Sequence, residues 1–415
     1  MRRLAAVLSA LILGSGAASA IPLPPEQEFT NQTPYGTPDA SVVAPPEGYG
    51  LIQLQTVSRH GARSQTSDTV EKRVLALWEK ARKKGKLTTL GKGLKADVQA
   101  FQVAERRVGY GDLSKLGAVE WSGIGTRWAA AYEDFLEQAQ ADGDTISYVT
   151  TDRQRTVDSM TAQRSAFRSA GLTALDDRST STVDPSLYGE SGLTTKGSTA
   201  VRKIRARDSV KDASKALLKK IYTSSFVKTI DDPVAAAKDV YALYCTAPGM
   251  ALDSDVTFAK YVPTAARISL SQLRDGENFY RYGPGITGQR SSFDHADPVL
   301  KSFFSEIDQR IAGGGEAAVI RHAHGETIMP FAARIRIVGA DQQLAATSYY
   351  SYSRSAWRGS VQGRLAGNIE WALYEKGDDH LVAVRQNEAP VRLAGCDATA
   401  TWFYDLDELR SCLEP

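Results

Sequence analysis

The chain has 415 residues, 42% of them hydrophobic and 24% charged, a balance that supports one large core or two interleaved lobes. Lysine and arginine number 50 against 48 acidic residues. Arg2 and Arg3 lie in an N-terminal leader, and without them the two signs are equal. That leaves no global field to draw nucleic acid or anionic membrane, so affinity for an anion must come from a local pocket.

Residues 1–20 read as a secretory signal peptide: basic Arg2-Arg3, the apolar stretch Leu4 to Leu13, then the small residues Ala18-Ser19-Ala20. Cleavage near Ala20 would deliver a secreted or periplasmic protein, and no run is long enough to span a membrane. Residues 21–48, rich in Pro, Thr and Gln, predict a flexible leader or extended surface arm, which carries the glycosylation sequon Asn31-Gln32-Thr33.

The run Leu51 to Val57 predicts a strand ending at Ser58-Arg59-His60-Gly61, the edge where ligands bind in open α/β sheets. A helix over 118–139 presents Trp121, Ile124, Trp128, Tyr132 and Phe135 on one face, and a strand Thr145 to Val149 follows. The polar loop Thr150 to Arg155 leads into a helix from Thr156 to Ser169. Helical patterns over Val201 to Arg207, Val210 to Tyr222 and Pro233 to Cys245 suggest an insertion lobe. After Gly313-Gly314-Gly315 a strand Ala317 to Ile320 runs into Arg321-His322-Ala323-His324-Gly325-Glu326, repeating the first arrangement. Ile369 to Tyr374 and Leu381 to Val384 form a hairpin around Gly377-Asp378-Asp379. The expected division is a core of 49–175 and 300–415 with a mostly helical lobe of 176–299. Of the three cysteines, Cys396 and Cys412 are the nearer pair and Cys245 is left over, with no zinc-site spacing.

Breaking a phosphate monoester requires neutralised phosphoryl oxygens, an in-line nucleophile and a proton for the leaving alcohol. Arg59 and Arg63 flank His60, and guanidinium forks bond phosphate bidentately. Nearby cations keep an imidazole neutral and its lone pair free. A lone Arg-His-Gly triplet would more simply cap a strand with solvated charges, but here two such strand ends coincide.

These segments resemble the histidine phosphatases, in the acid phosphatase and phytase branch with its Arg-His-Gly-x-Arg-x-Pro signature. Gln65 stands where that signature has proline. Thr151-Asp152-Arg153-Gln154-Arg155 is similar to the segment that supplies a third phosphate-binding arginine, which falls on Arg155. Leu113-Ser114-Lys115-Leu116-Gly117 is similar to the helix entry Leu-Thr-x-x-Gly. His324-Gly325-Glu326-Thr327 resembles the His-Ala-Glu-Thr form found in multiple inositol polyphosphate phosphatases. Asp275 to Gly283 and Asn387 to Val391 resemble further segments of that group.

The resemblance implies an α/β fold: a mixed, largely parallel sheet with helices on both faces and a smaller helical lobe. It implies His60 as nucleophile, Glu326 as acid, and Arg59, Arg63, Arg155 and His324 as phosphate ligands, with no cofactor and no metal. The implied reaction is phosphomonoester hydrolysis through a phosphohistidine, with inositol polyphosphates such as phytate as substrate. A broad acid phosphatase for sugar or nucleotide monoesters, and a non-catalytic binder of phosphorylated ligands, are the competing readings. His322, His324 and Glu326 also present a short candidate metal cluster. His295 and His380 read as surface histidines. The basic runs Arg82 to Lys86 and Arg202 to Lys220 read as solvated faces, or as aids in holding a highly phosphorylated substrate. The oligomeric state is not legible.

Overall fold

The computed structural model describes residues 25–38 and 42–413, so the expected signal peptide lies outside the described residues. Among the described residues eight strands form one sheet: β1 Gly50–Arg59, β2 Ile146–Thr150, β3 Thr180–Val183, β4 Ala318–Ala323, β5 Asn368–Lys376, β6 Asp379–Gln386, β7 Ala389–Pro390 and β8 Phe403–Asp405. Their order is β3-β2-β4-β1-β5-β6-β7, with β8 paired to β6. The four strands from β3 to β1 run parallel, and the C-terminal strands continue the sheet antiparallel.

Side chains alternate across a strand, so β1 feeds two cores. Leu54 joins Tyr148, Ile320 and Ala372 beneath Trp128, Leu136 and Phe167 of the helices on one face. Val57 points the other way, into the larger core shared with Phe303, Phe331, Trp371 and the helices Asp208–Ile221 and Pro233–Thr246. Both faces are therefore covered, as parallel strands require. The expected α/β architecture with helices on both faces is observed.

Three local readings need correction. The helix expected over 118–139 is two, Lys115–Ala131 and Glu133–Asp142, broken at Tyr132, whose hydroxyl donates to the buried carboxylate of Glu370. Strand β3 lies within the segment that read as helical. All four of its residues are exposed at the sheet edge, so no apolar alternation marked it. The helix carrying Val201 begins earlier, at Thr195, where the Thr194 hydroxyl caps it by accepting from the Gly197 amide at 3.0 Å.

Within the supposedly flexible segment before β1, the described stretch 28–35 packs into the protein. Glu28, Thr30, Gln32, Thr33 and Tyr35 are buried. The Tyr244 hydroxyl donates to the Glu28 carboxylate at 2.7 Å, the Leu365 amide to the Thr33 carbonyl at 3.0 Å, and the Tyr35 amide to Glu120 at 2.6 Å. Polar composition suggested exposure, but polar residues bury readily when each finds a partner. Thr33 of the sequon is itself buried. Cys396 and Cys412 form a disulfide with their Cα atoms 5.7 Å apart, and Cys245 is buried and free.

Candidate active site

The C-terminal ends of β1, β4 and β2 lie side by side, with Arg59 opposite Ala323 and Thr150 opposite His322. His60 is the first residue beyond β1. Its amide donates to the Ala323 carbonyl and its carbonyl accepts from the Ala366 amide, both at 3.0 Å. The ring Nδ1 lies 2.8 Å from the Gly61 carbonyl. A carbonyl only accepts, so Nδ1 carries the proton and Nε2 keeps its lone pair. Burial, then the charges of Arg59, Arg63 and Arg155, hold the His60 pKa well below the usual histidine value.

The loop after His60 rests on the start of the helix Lys115–Ala131. A Cβ on Gly61 would stand 2.5 Å from the Gly117 carbonyl, and one on Gly117 would stand 2.2 Å from the Ala62 carbonyl. Both glycines permit this contact, which accounts for the Leu113 to Gly117 segment. Side chains from three helices hold the loop's amides: Gly61 N–H donates to Ser159 Oγ at 3.1 Å, Ala62 N–H to Glu120 Oε2 at 2.6 Å and Gln65 N–H to Glu105 Oε1 at 2.8 Å. Burial pushes the Glu120 carboxyl up to about 7. Proline at Gln65 would have no N–H to give Glu105.

Three guanidinium groups surround the ring. Arg59 donates to the carbonyls of Asn31 and Gly363, Arg63 to the Ser64 carbonyl at 2.6 Å, and Arg155 to His324 Nδ1 at 3.3 Å. The Nε–H of each is buried without a partner. Burial lowers the pKa of Arg59 to about 9 and of Arg63 to about 10, and mutual repulsion adds to both shifts. Arg155 is lowered for the same first reason, and the carboxylate that offsets all three is Glu326. Crowded cations with unused donors make a cradle for an anion.

His324 caps the helix Gly325–Arg334. Its Nε2 donates to Thr151 Oγ1 at 3.0 Å, its ring stacks on Tyr188 at 5.2 Å, and it stands 5.6 Å from the His60 ring. Burial, followed by the arginine charges, lowers its pKa to about 3. Glu326 sits half-buried in the first turn of that helix. Gly189 presses on its backbone, where a Cβ would stand 1.7 Å from the Glu326 carbonyl oxygen. Gly325 similarly lies against Arg59, where a Cβ would stand 3.2 Å from Nε.

Thus Arg59, His60, Arg63, Arg155, His324 and Glu326 lie together beyond the ends of β1, β2 and β4, near enough for their charges to act on one another. His322 does not join them. It is fully buried, its Nε2 lies 2.9 Å from Gln163 Oε1, and its ring meets Trp121 edge-on at 4.4 Å. Burial alone lowers its pKa to about 3, and with Nε2 given to Gln163 and the ring packed on Trp121 it is a neutral core residue. His380 bonds Glu375 on the β5–β6 hairpin. In the basic runs Arg82 pairs with Glu79, Lys211 with Asp208 and Lys215 with Asp212 at helical spacing, as solvated faces do. A cavity of about 460 Å³ lined by Thr66, Tyr110, Asp112, Asp152, Arg153 and Arg155 opens beside Arg155.

Sequence reasoning missed Thr151, Tyr188, Glu105 and Glu120. Thr151 lay within a quoted motif, but nothing marked Tyr188, which follows the unrecognised β3. Arg274 of the helix Thr264–Tyr282 was missed too, and adds a positive charge felt by Arg59 and Arg63.

Several known proteins are similar to this chain. The crystal structure of the apo multiple inositol polyphosphate phosphatase of Bifidobacterium longum superposes with a TM-score of 0.89 at 25% identity, covering 94% of this chain and 98% of that one. Its complex with inositol hexasulfate gives 0.88 at 25% identity, covering 93% and 97%. The phytase from D. castellii shares the fold at a TM-score of 0.65 and 15% identity, covering 97% of this chain and 91% of that one. Multiple inositol polyphosphate phosphatase 1 of Dictyostelium discoideum is 33% identical over 84 residues, which are 19% of this chain and only 13% of that relative. The family model described as the histidine phosphatase superfamily, branch 2, matches residues 50–388, from the first residue of β1 to the turn after β6, and the chain belongs to that family.

Proposed function

We propose that the protein hydrolyses phosphate monoesters in two steps without a metal, and that inositol polyphosphates such as phytate are its substrates. His60 Nε2 attacks phosphorus while Glu326 protonates the departing alcohol oxygen. Water then cleaves the phosphohistidine, with Glu326 taking the proton of that water. Arg59, Arg63, Arg155 and His324 hold the phosphoryl oxygens, whose charge spreads in the transition state.

The observation that carries this reading is the neutral, buried His60 ring with a free Nε2 beside three guanidinium groups whose Nε–H donors lack partners. The substrate class rests on the His324-Gly325-Glu326 form of the second motif and on full-length likeness to a protein solved with inositol hexasulfate. Export rests on the leader alone; among the described residues no helix is long and apolar enough to cross a membrane.

The test is phosphate release by purified protein from phytate and from p-nitrophenyl phosphate, at acid and neutral pH with chelator present. Rapid release from phytate supports the proposal. A preference for p-nitrophenyl phosphate would make it a broad acid phosphatase, and phosphate-ester binding without turnover would make it a binder. Retained activity in His60→Ala would sink the mechanism. N-terminal sequencing of protein recovered outside the cytoplasm tests cleavage near Ala20.

A further inference from the structure

We propose that Glu71 and Glu105 form a carboxyl pair that shares one proton and positions the phosphate-binding loop through the Gln65 amide. Glu71 projects from the first turn of the helix Thr69–Lys83, Glu105 from the last turns of the helix Leu94–Val108, and both are fully buried. Each spends one oxygen: Glu105 Oε1 accepts from the Gln65 amide at 2.8 Å, and Glu71 Oε1 from the Tyr110 hydroxyl at 3.3 Å. Each leaves its Oε2 buried without a donor, and the two side chains are within hydrogen-bonding reach of one another. Two buried carboxyls within hydrogen-bonding reach are satisfied together only by a proton between them, because two like charges so placed do not both persist in a low-dielectric site.

The groups facing the pair are few. From the loop come Arg63 and Gln65, and from the turn beyond the second helix comes Tyr110, with Arg106 acting on Tyr110 from outside. Burial first, and then Glu71, raise the Glu105 pKa; the Gln65 amide and Arg63 oppose the rise without cancelling it. The pair thus carries one negative charge behind Arg63 while bonding to backbone, and Arg63 keeps its Nε–H for the substrate. This accounts for the departure from the family signature: at position 65 the chain uses an N–H that proline lacks.

Glu71 and Glu105 touch neither substrate nor reacting atoms, so they are positioning residues. The proposal rests on the phosphatase reading only where activity is the readout. When alkali removes the shared proton, two buried charges oppose each other beneath the loop, and kcat should fall. In E105Q the amide N–H replaces the shared proton while Oε1 still accepts from Gln65. The alkaline limb of kcat should move up by about one pH unit or more, with KM little changed at neutral pH. E71Q makes the same exchange from the other side and serves if E105Q fails to fold. An alkaline limb identical to wild type in both variants overturns the proposal.

Q65P should lower kcat roughly tenfold, and the double variant Q65P/E105M, which removes the orphaned carboxyl, should recover most of that loss. Additive losses would count against the proposal. An arm independent of catalysis follows the proton by thermal unfolding. The folded pair keeps a proton that the unfolded carboxyl releases, so wild-type stability falls as pH rises from the ordinary carboxylate range toward the raised value. E105Q should lack that part of the slope. A wild type that turns over no phosphate ester ends the phosphatase reading, and the unfolding arm still decides this one.

Discussion

The two strand ends that meet at the site are built by opposite means. Beyond β1 the chain does not become helical. It forms a loop whose amides are taken one by one by Ser159, Glu120 and Glu105, from helices 40 to 98 residues away in sequence. Beyond β4 the chain enters a helix at once, and its first turn supplies His324 and Glu326 with little outside help beyond Thr151, Tyr188 and the close approach of Gly189. A loop held by buried acceptors can aim several donors at one point, since its backbone is not committed to a helix. A helix start fixes only the spacing between two side chains, but does so locally. In the proposed mechanism the first end holds the nucleophile among like charges and the second presents the acid near them.

Substitutions of decreasing expected effect probe this contrast. His60→Ala should cost on the order of 10⁴-fold or more in kcat on every ester, since nothing else offers a free lone pair at the end of β1. Trapped phosphoprotein from wild type and none from the variant checks it. Glu326→Gln should cost on the order of 10²- to 10³-fold on phytate but much less on p-nitrophenyl phosphate, whose leaving group needs little protonation. Equal losses on both substrates would assign the second strand end to binding rather than to acid catalysis.

Glu120→Gln tests the tethered loop. The amide retains one acceptor, so either the Ala62 or the Tyr35 N–H loses its partner, and kcat should fall roughly tenfold, equivalent to about 1.4 kcal/mol. The pH profile sharpens the same point. Because burial and the neighbouring arginines hold His60 neutral well below the usual range, activity should persist into the acid range with no limb from His60 near the ordinary histidine value. A limb there that survives in E120Q would show that His60 itself titrates. His322→Phe, two residues from His324, should change kcat less than about threefold while losing roughly 1–2 kcal/mol of stability with its Gln163 bond. Chemical denaturation and a rate assay separate the two effects.

How much was legible follows from how far apart the interacting residues lie. Arg59, His60 and Arg63 are neighbours at the end of an apolar run, so alternation placed them on a sheet edge and their side chains named the chemistry. His324 and Glu326 were legible for the same reason, although His322 confused the register: one pleat back along β4 the same side chain belongs to the core. The segment before β1 was misread because its burial depends on Tyr244, Leu365 and Glu120, none nearby in sequence. Strand β3 was missed because an exposed edge strand needs no apolar face.

By itself the sequence determined which candidate groups stand at the strand ends, because their placement is set by short-range pattern and by the chemistry of adjacent side chains. The tertiary structure alone decided which carboxylates stand behind the phosphate-binding loop, which tautomer His60 adopts, and why Gln65 replaces a proline. Those outcomes depend on burial and on hydrogen bonds between distant segments, and a linear pattern carries neither.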